Sequence, residues 1–167
     1  KGEVCIFCSK TGRKSVTMNG HQKDVMGLAW GASGTLFTCS HDKTVKAWNT
    51  ENGAEIGVYS ARSGAWRTLA ISTAFVLRTG GYELGKVLDG CSNTREAAVK
   101  RLEEHQKISP VEMIAVGGQD HTISLLKFDA TKRSFTEVQR ITGHVNKINH
   151  ICFSPNGYWL SSASDDK

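Results

Sequence analysis

Residues 20–48 read GHQKDVMGLAWGASGTLFTCSHDKTVKAW. A Gly-His pair opens the stretch, and an alternating run follows through Val25, Gly27 and Ala29. A glycine turn spans Gly31 to Gly34, and a second apolar run covers Leu36 to Cys39. Ser40, His41 and Asp42 then interrupt the pattern before a third run that ends on Trp48. Period-two alternation broken by turn residues predicts strands, here at 25–30, 36–40 and 44–49, with a fourth at 55–59 after the turn Glu51-Asn52-Gly53. Val25, Leu36, Val45 and Ala47 are the core candidates.

That order resembles one WD-repeat unit, a four-stranded propeller blade. In such a blade Asp42 occupies the turn between the second and third strands and accepts from His21. A strand hydroxyl, Ser40 or Thr38, links His21 to the indole N–H of Trp48. Each buried polar atom then has a partner, which makes its burial tolerable. A Ser-His-Asp set also invites a hydrolase reading, but a triad is recognised by geometry and not by composition. His21, Ser40, Asp42 and Trp48 are therefore expected to be structural.

Working outward, residues 3–8 and 14–18 read as the last two strands of a preceding blade, with Phe7 at the position of its Trp. Residues 1–19 thus end one blade and 20–60 form a whole one. Residues 61–141 form a degenerate blade with predicted strands at 66–72, 113–118, 121–128 and 132–140. Arg62-Ser63 stands where Gly-His belongs, Asp120 matches Asp42, and Leu126 stands where Trp belongs. This blade is expected to lean on packing more than on polar contacts. Residues 142–167 begin another blade, with strands at 148–153 and 159–163. There His144, Ser162, Ser164 and Asp166 match His21, Thr38, Ser40 and Asp42. Asp42, Asp120 and Asp166 are 78 and 46 residues apart. A WD repeat runs about 40–45 residues, so an insertion at 80–110 accounts for the excess in the first interval. Asn93 or Thr94 can cap a helix there, Glu96 can complete a capping box, and Glu96/Lys100 and Lys100/Glu104 are i,i+4 pairs. A short helix is expected at 94–106. The fold class is all-β, a propeller segment of two full and two partial blades with a helical insertion. Rings need about 4–8 blades, so the segment is expected to belong to a larger ring.

The 167 residues carry a net charge of +5 without a run of basic residues, which weakly favours acidic partners such as nucleic acid. No apolar run approaches the length needed to span a membrane. Cys5 and Cys8 form a lone C-x-x-C. On a strand, positions three apart point to opposite faces, so the pair is poorly placed to share a metal. Reduced thiols of an intracellular protein fit the five cysteines better. Gly80-Gly81 and Gly117-Gly118 lack a phosphate-loop continuation. No catalytic residue, metal site, cofactor or small-molecule substrate is expected.

The degenerate blade is more specific than the repeat. WRTLAISTAFVLRTGGYE (66–83) resembles the Notchless family of ribosome-assembly factors, through Trp66, Leu69, Ala70, Ser72, Thr73, Leu77, Arg78, Thr79 and Gly80. EMIAVGGQD (112–120) and ITGHVNKINHICFSPNG (141–157) continue the family's order after an insertion at the same place. The resemblance implies an eight-bladed propeller behind a ubiquitin-like domain that is absent here. It implies a nucleolar and nuclear role on precursors of the large ribosomal subunit. That ubiquitin-like domain would engage a Midasin-type AAA ATPase, and the propeller would hold ribosomal proteins and rRNA. Blade geometry puts the Gly-His loops and Asp turns on one face, where Lys23, His41, Lys43 and Lys147 are candidate contacts. Arg78, Lys100 and Arg101 are the candidates on the opposite face, where the insertion opens. The alternative is a generic WD scaffold, such as a signalling hub or ubiquitin-ligase adaptor.

Overall fold

Side chains point alternately to the two faces of each strand, and glycine and Asx turns end the strands. The computed structural model describes residues 2–61, 64–73, 112–154 and 157–166, and every regular element among them is a strand. β1 (Val4–Phe7) and β2 (Lys14–Met18) form a two-stranded sheet. β3 (Val25–Trp30), β4 (Leu36–Ser40), β5 (Thr44–Trp48) and β6 (Glu55–Ser60) form a four-stranded meander. β7 (Trp66–Ile71), β8 (Met113–Gly118), β9 (Ile123–Asp129) and β10 (Ser134–Ile141) form a second. β11 (Ile148–Phe153) and β12 (Leu160–Ser164) pair as a hairpin. All pairings are antiparallel.

Strand limits shift where local polar bonds compete. β9 starts at Ile123 and not at residue 121, because His121 takes a positive φ of 68° in the turn and Thr122 bonds to Asp120. β10 starts at Ser134 because the amides of Thr131 and Lys132 donate to the Asp129 carboxylate and hold a turn there.

β7 and β8 pair although a long insertion separates them in sequence. The Ser72 amide donates to the Met113 carbonyl at 3.0 Å, and the Met113 amide donates to the Ser72 hydroxyl at 3.0 Å. Glu112 ties this root to the next sheet. It accepts from the Ala32 amide at 2.9 Å and from the Thr73 hydroxyl. The root thus lies at the β3–β4 turn end of the sheets, away from Asp42 and Asp120. The helix expected at 94–106 falls outside the described residues.

The sheets pack face to face, and the core lies between them. One face of the first meander presents Phe37, Cys39, Val45 and Ala47 to Trp66, Ile71, Ile114, Val116 and Leu126 of the second. Its other face sets Leu36 and Trp48 against Val4 and Met18. Ala115 and Ile123 meet Ile148 and Ile151 in a third layer. Inner strands β3, β7 and β11 touch in sequence. At Gly27 a Cβ would stand 3.0 Å from Cys39 Sγ and 3.1 Å from the Leu69 amide nitrogen, so glycine eases the close approach of β3 and β7. Burial pushes the Cys39 thiol up to about 12, which leaves it an inert core group. This architecture is a partial β-propeller.

The degenerate blade replaces a polar lock by volume. The pair Trp66↔Gly118 stands where the first meander has Val25↔Ser40, and Leu126↔Glu137 stands where it has Trp48↔Glu55. A Cβ at Gly118 would stand 2.6 Å from Asp120 Oδ1 and in ordinary contact with the Trp66 ring at 3.4 Å, so it is the Asp120 side chain that crowds this position. Trp66 is 1% exposed and lies tilted against Tyr59, ring centroids 6.3 Å apart.

The blade is not purely apolar, however. Glu137 accepts from the Ser124 hydroxyl at 2.9 Å, from Arg140 Nε at 3.0 Å and from the Tyr59 hydroxyl of the neighbouring sheet at 2.9 Å. Burial alone would raise the Glu137 carboxyl. The bonds from Tyr59, Arg140 and Ser124 outweigh it and hold the carboxyl below its ordinary value. Ser124 is fully buried. Glu137→Ala strips its hydroxyl of that acceptor and cuts the tie to Tyr59. A loss of about 1–2 kcal/mol is expected, read as a lower urea midpoint with the m-value unchanged.

Candidate interaction face

The Gly-His loop and the Asp turn meet at one end of the first meander. His21 is buried, and its Nδ1 lies 2.8 Å from Asp42 Oδ2. Its Nε2 lies 2.7 Å from the Thr38 hydroxyl, which also accepts the Trp48 indole N–H at 2.8 Å. A neutral imidazole with its proton on Nδ1 satisfies every member: it donates to Asp42 and accepts from Thr38. Asp42 further accepts from the Gln22 amide at 2.9 Å, the Thr44 amide at 2.9 Å and the Thr44 hydroxyl at 2.6 Å. Burial alone would raise the Asp42 carboxyl. The bonds from Thr44, Gln22 and His21 together hold it far below the usual carboxylate range. Burial lowers the His21 pKa, partly opposed by Asp42.

Ser40 does not make the link between His21 and Trp48. Its hydroxyl donates to the Lys23 carbonyl at 3.3 Å and accepts from the Asp42 amide at 3.1 Å. Ser40 thus closes the loop onto the turn, and Thr38 carries the circuit.

The last hairpin repeats this arrangement. His144 Nδ1 lies 2.7 Å from Asp166 Oδ2 and Nε2 lies 2.7 Å from the Ser162 hydroxyl. Ser164 donates to the Lys147 carbonyl at 2.9 Å and accepts from the Asp166 amide at 3.3 Å, as Ser40 does. The bond from the Val145 amide, then that from His144, lowers the Asp166 carboxyl. In the degenerate blade Asp120 accepts from the amide and hydroxyl of Thr122 at 3.3 and 2.9 Å. Arg62 and Ser63 lie outside the described residues.

Lys23, His41, Lys43 and Lys147 all fall in these loops and turns. Lys23 is exposed, and Lys43 is exposed in the Asp turn with φ of 70°. Lys147 is paired with Asp165 at 2.9 Å, so its charge is partly spent within the face. His41 is half-buried, and its Nε2 is enclosed and not presented to solvent. Arg78, Lys100 and Arg101 lie outside the described residues. Sequence reasoning passed over Arg67, whose charge reaches Asp165 of the last hairpin behind the nearer bonds from Lys147 and Asn149. Its only signal was a charged residue at the second position of an inner strand. Among the described residues, no group of His, Cys, Asp and Glu is placed to hold a metal.

The WD domain, G-beta repeat family matches residues 12–49 and 135–167, the two stretches that carry the His–Asp circuits. These two stretches are WD repeats. The chain is similar to Protein Notchless of Drosophila melanogaster, 31% identical over 160 residues, which is 93% of this chain and 32% of that protein. It is similar to Ribosome assembly protein 4 of Chaetomium thermophilum, 32% identical over 166 residues, 98% of this chain and 32% of the relative. The protein of the same name in Saccharomyces cerevisiae is 35% identical over 104 residues, 59% of this chain and 19% of the relative. The resemblance to the Notchless group therefore holds along nearly the whole chain. The chain spans about a third of the length of the Drosophila and Chaetomium proteins.

Proposed function

We propose that the chain is a non-catalytic scaffold in assembly of the large ribosomal subunit, docking on pre-ribosomal particles in the nucleolus and nucleus. The observation that carries this reading is its similarity, over nearly its whole length, to Notchless and to a protein named for ribosome assembly. The geometry supports a scaffold. The Ser-His-Asp groups that could suggest hydrolysis are bonded into the fold, with Thr38 tied to Trp48 and Asp42 saturated by turn donors. Exposed Lys23 and Lys43 leave a cationic face for rRNA phosphate, a contact that is independent of sequence and sensitive to salt. In this reading a Midasin-type AAA ATPase acts through a domain outside these residues and uses the bound propeller as a handle.

Affinity purification of the chain from nuclear extract, followed by gradient sedimentation, tests the proposal. Precursor large-subunit rRNA and assembly factors are expected in the chain's fractions. Lys23→Glu with Lys43→Glu, and separately Arg78→Glu with Lys100→Glu and Arg101→Glu, are expected to lower that association on whichever face meets the particle. A loss of roughly tenfold is expected. Recovery of ubiquitin-ligase subunits without large-subunit rRNA would overturn the reading.

A further inference from the structure

The turns β1–β2, β5–β6 and β9–β10 stand at the same end of the sheets as the β3–β4 turn. There the Thr50 hydroxyl donates to the Gly34 carbonyl at 2.9 Å. The root of the insertion lies at this end too. Two of the turns repeat a pattern. Thr11-Gly12-Arg13-Lys14-Ser15 leads into β2, and Ala130-Thr131-Lys132-Arg133-Ser134 leads into β10. Each sets two basic residues before a serine at the head of an outer strand. Both turns are closed by their own bonds. The Cys8 amide donates to the Arg13 carbonyl at 2.9 Å and the Gly12 amide to the Cys8 carbonyl at 2.8 Å. In the other turn the Asp129 carboxylate takes the amides of Thr131 and Lys132.

Lys10, Arg13, Lys132 and Arg133 are exposed. Among the described residues, Lys10, Arg13 and Arg133 have no carboxylate at ion-pair distance, and Lys132 meets Asp129 only at 3.8 Å. The middle sheet joins the two turns into one rim. A Cβ at Gly53 would stand 2.7 Å from the Thr17 carbonyl of β2, and one at Gly57 would stand 3.0 Å from the Arg133 carbonyl. Packed sheets lie about 10 Å apart, so the basic turns are about 20 Å from each other, with Glu51 in the turn between them. The Gly-His end is more evenly balanced. Lys23 precedes Asp24, Lys43 follows Asp42, and Lys147 is paired with Asp165.

We propose that this turn rim is the surface that meets RNA, with Lys10, Arg13, Lys132 and Arg133 on the phosphates of a double-helical segment. The proposal rests on the ribosomal reading for the source of the RNA, and it assigns the contact to the insertion end of the sheets. The three turns, CSKTGR (8–13), NTENGA (49–54) and DATKR (129–133), carry no ring that could stack on an unpaired base. Their lysines and arginines reach the backbone, a contact that positions without reading sequence. Helical RNA is recognised in that way, by shape and phosphate.

Fluorescence anisotropy of a labelled RNA duplex of about 16 base pairs and arbitrary sequence, titrated with the chain, tests it. Lys10→Glu with Arg13→Glu, and separately Lys132→Glu with Arg133→Glu, are each expected to weaken binding by roughly tenfold. Each should also lower the slope of log affinity against log salt by about 2. Both pairs are exposed, so far-UV circular dichroism and the urea midpoint should stay unchanged. Lys23→Glu with Lys43→Glu makes the same change in net charge at the other end of the strands. That end is about 17–20 Å away, beyond the Debye length of about 8 Å at physiological salt, and a loss below about threefold is expected there. Three results overturn the proposal: an equal loss in the Lys23 and Lys43 variant, unchanged binding in either turn variant, or a poly-glutamate peptide that competes as well as unlabelled duplex. Turn variants that bind the duplex normally while the chain still sediments with large-subunit rRNA overturn this assignment and leave the ribosomal reading standing. Duplex binding through these turns in a chain that recovers ubiquitin-ligase subunits without large-subunit rRNA supports the rim and overturns only the ribosomal reading.

Discussion

Replacing Asp42 by alanine is expected to destabilise the chain by about 3–5 kcal/mol. Four donors lose their acceptor at once: the Gln22 amide, the Thr44 amide and hydroxyl, and the His21 ring N–H. The imidazole is buried and cannot turn to water. Its other nitrogen is already engaged by Thr38, whose hydroxyl also serves Trp48. The loss therefore propagates from a turn into the core. Asp42→Asn keeps the shape and one acceptor oxygen, and an intermediate loss is expected. Acid should produce the same effect gradually. An unfolded aspartate titrates near pH ~3.9 and an unfolded histidine near ~6.5. In the folded chain both Asp42 and His21 lie below those values. The unfolded state therefore takes up protons first, and stability present at neutral pH falls as pH drops below about 6.5, then more steeply below about 4. Urea midpoints measured from about pH 8 to 3 should trace this decline in the wild-type chain. In Asp42→Ala the steep acid part should be much reduced. An acid limb of unchanged steepness in that variant would remove Asp42 as the cause.

The strands were legible because apolar alternation and glycine turns are local signals. Leu36 to Cys39 and Thr44 to Trp48 can be placed without knowing what covers them. Which hydroxyl joins His21 to Trp48 was not legible. Thr38 and Ser40 share a face of β4, and only register separates them. Trp48 pairs with Leu36, so its indole reaches the next residue on that face, Thr38, while Ser40 lies nearer the turn. The packing of the degenerate blade could be foreseen from Leu126, but its polar tie could not. Glu137 and Tyr59 are 78 residues apart, and no local pattern joins them. Glu112 escaped notice for the same reason, since Ala32 and Thr73 become its neighbours only after β7 and β8 have paired. The face bearing Lys23 and Lys43 followed from loop position, whereas the pairing of Lys147 with Asp165 and the enclosure of His41 are side-chain outcomes.

Trp66→Ala is expected to cost about 3–5 kcal/mol, the range for emptying a large aromatic site in a core. Trp66 is 1% exposed and belongs to the core cluster with Phe37, Ile71, Ile114, Val116 and Leu126, so its removal leaves a space inside the core. The loss should match that of Trp48→Ala in size but differ in kind. Trp48 holds a hydrogen bond to Thr38, whereas Trp66 Nε1 is buried without a partner among the described residues. Trimming each to phenylalanine separates volume from bonding. Trp66→Phe should lose only ring size, about 1–2 kcal/mol. Trp48→Phe should lose that amount plus the bond to Thr38, about 1 kcal/mol more. A double-mutant cycle makes the contrast direct. Trp48→Phe with Thr38→Val should couple by about 1 kcal/mol. Additivity within about 0.5 kcal/mol would mean that the bond between Trp48 and Thr38 contributes nothing. Coupling of that size, together with a smaller loss at Trp66→Phe than at Trp48→Phe, would show that Trp48 is held by a bond as well as by packing and Trp66 by packing.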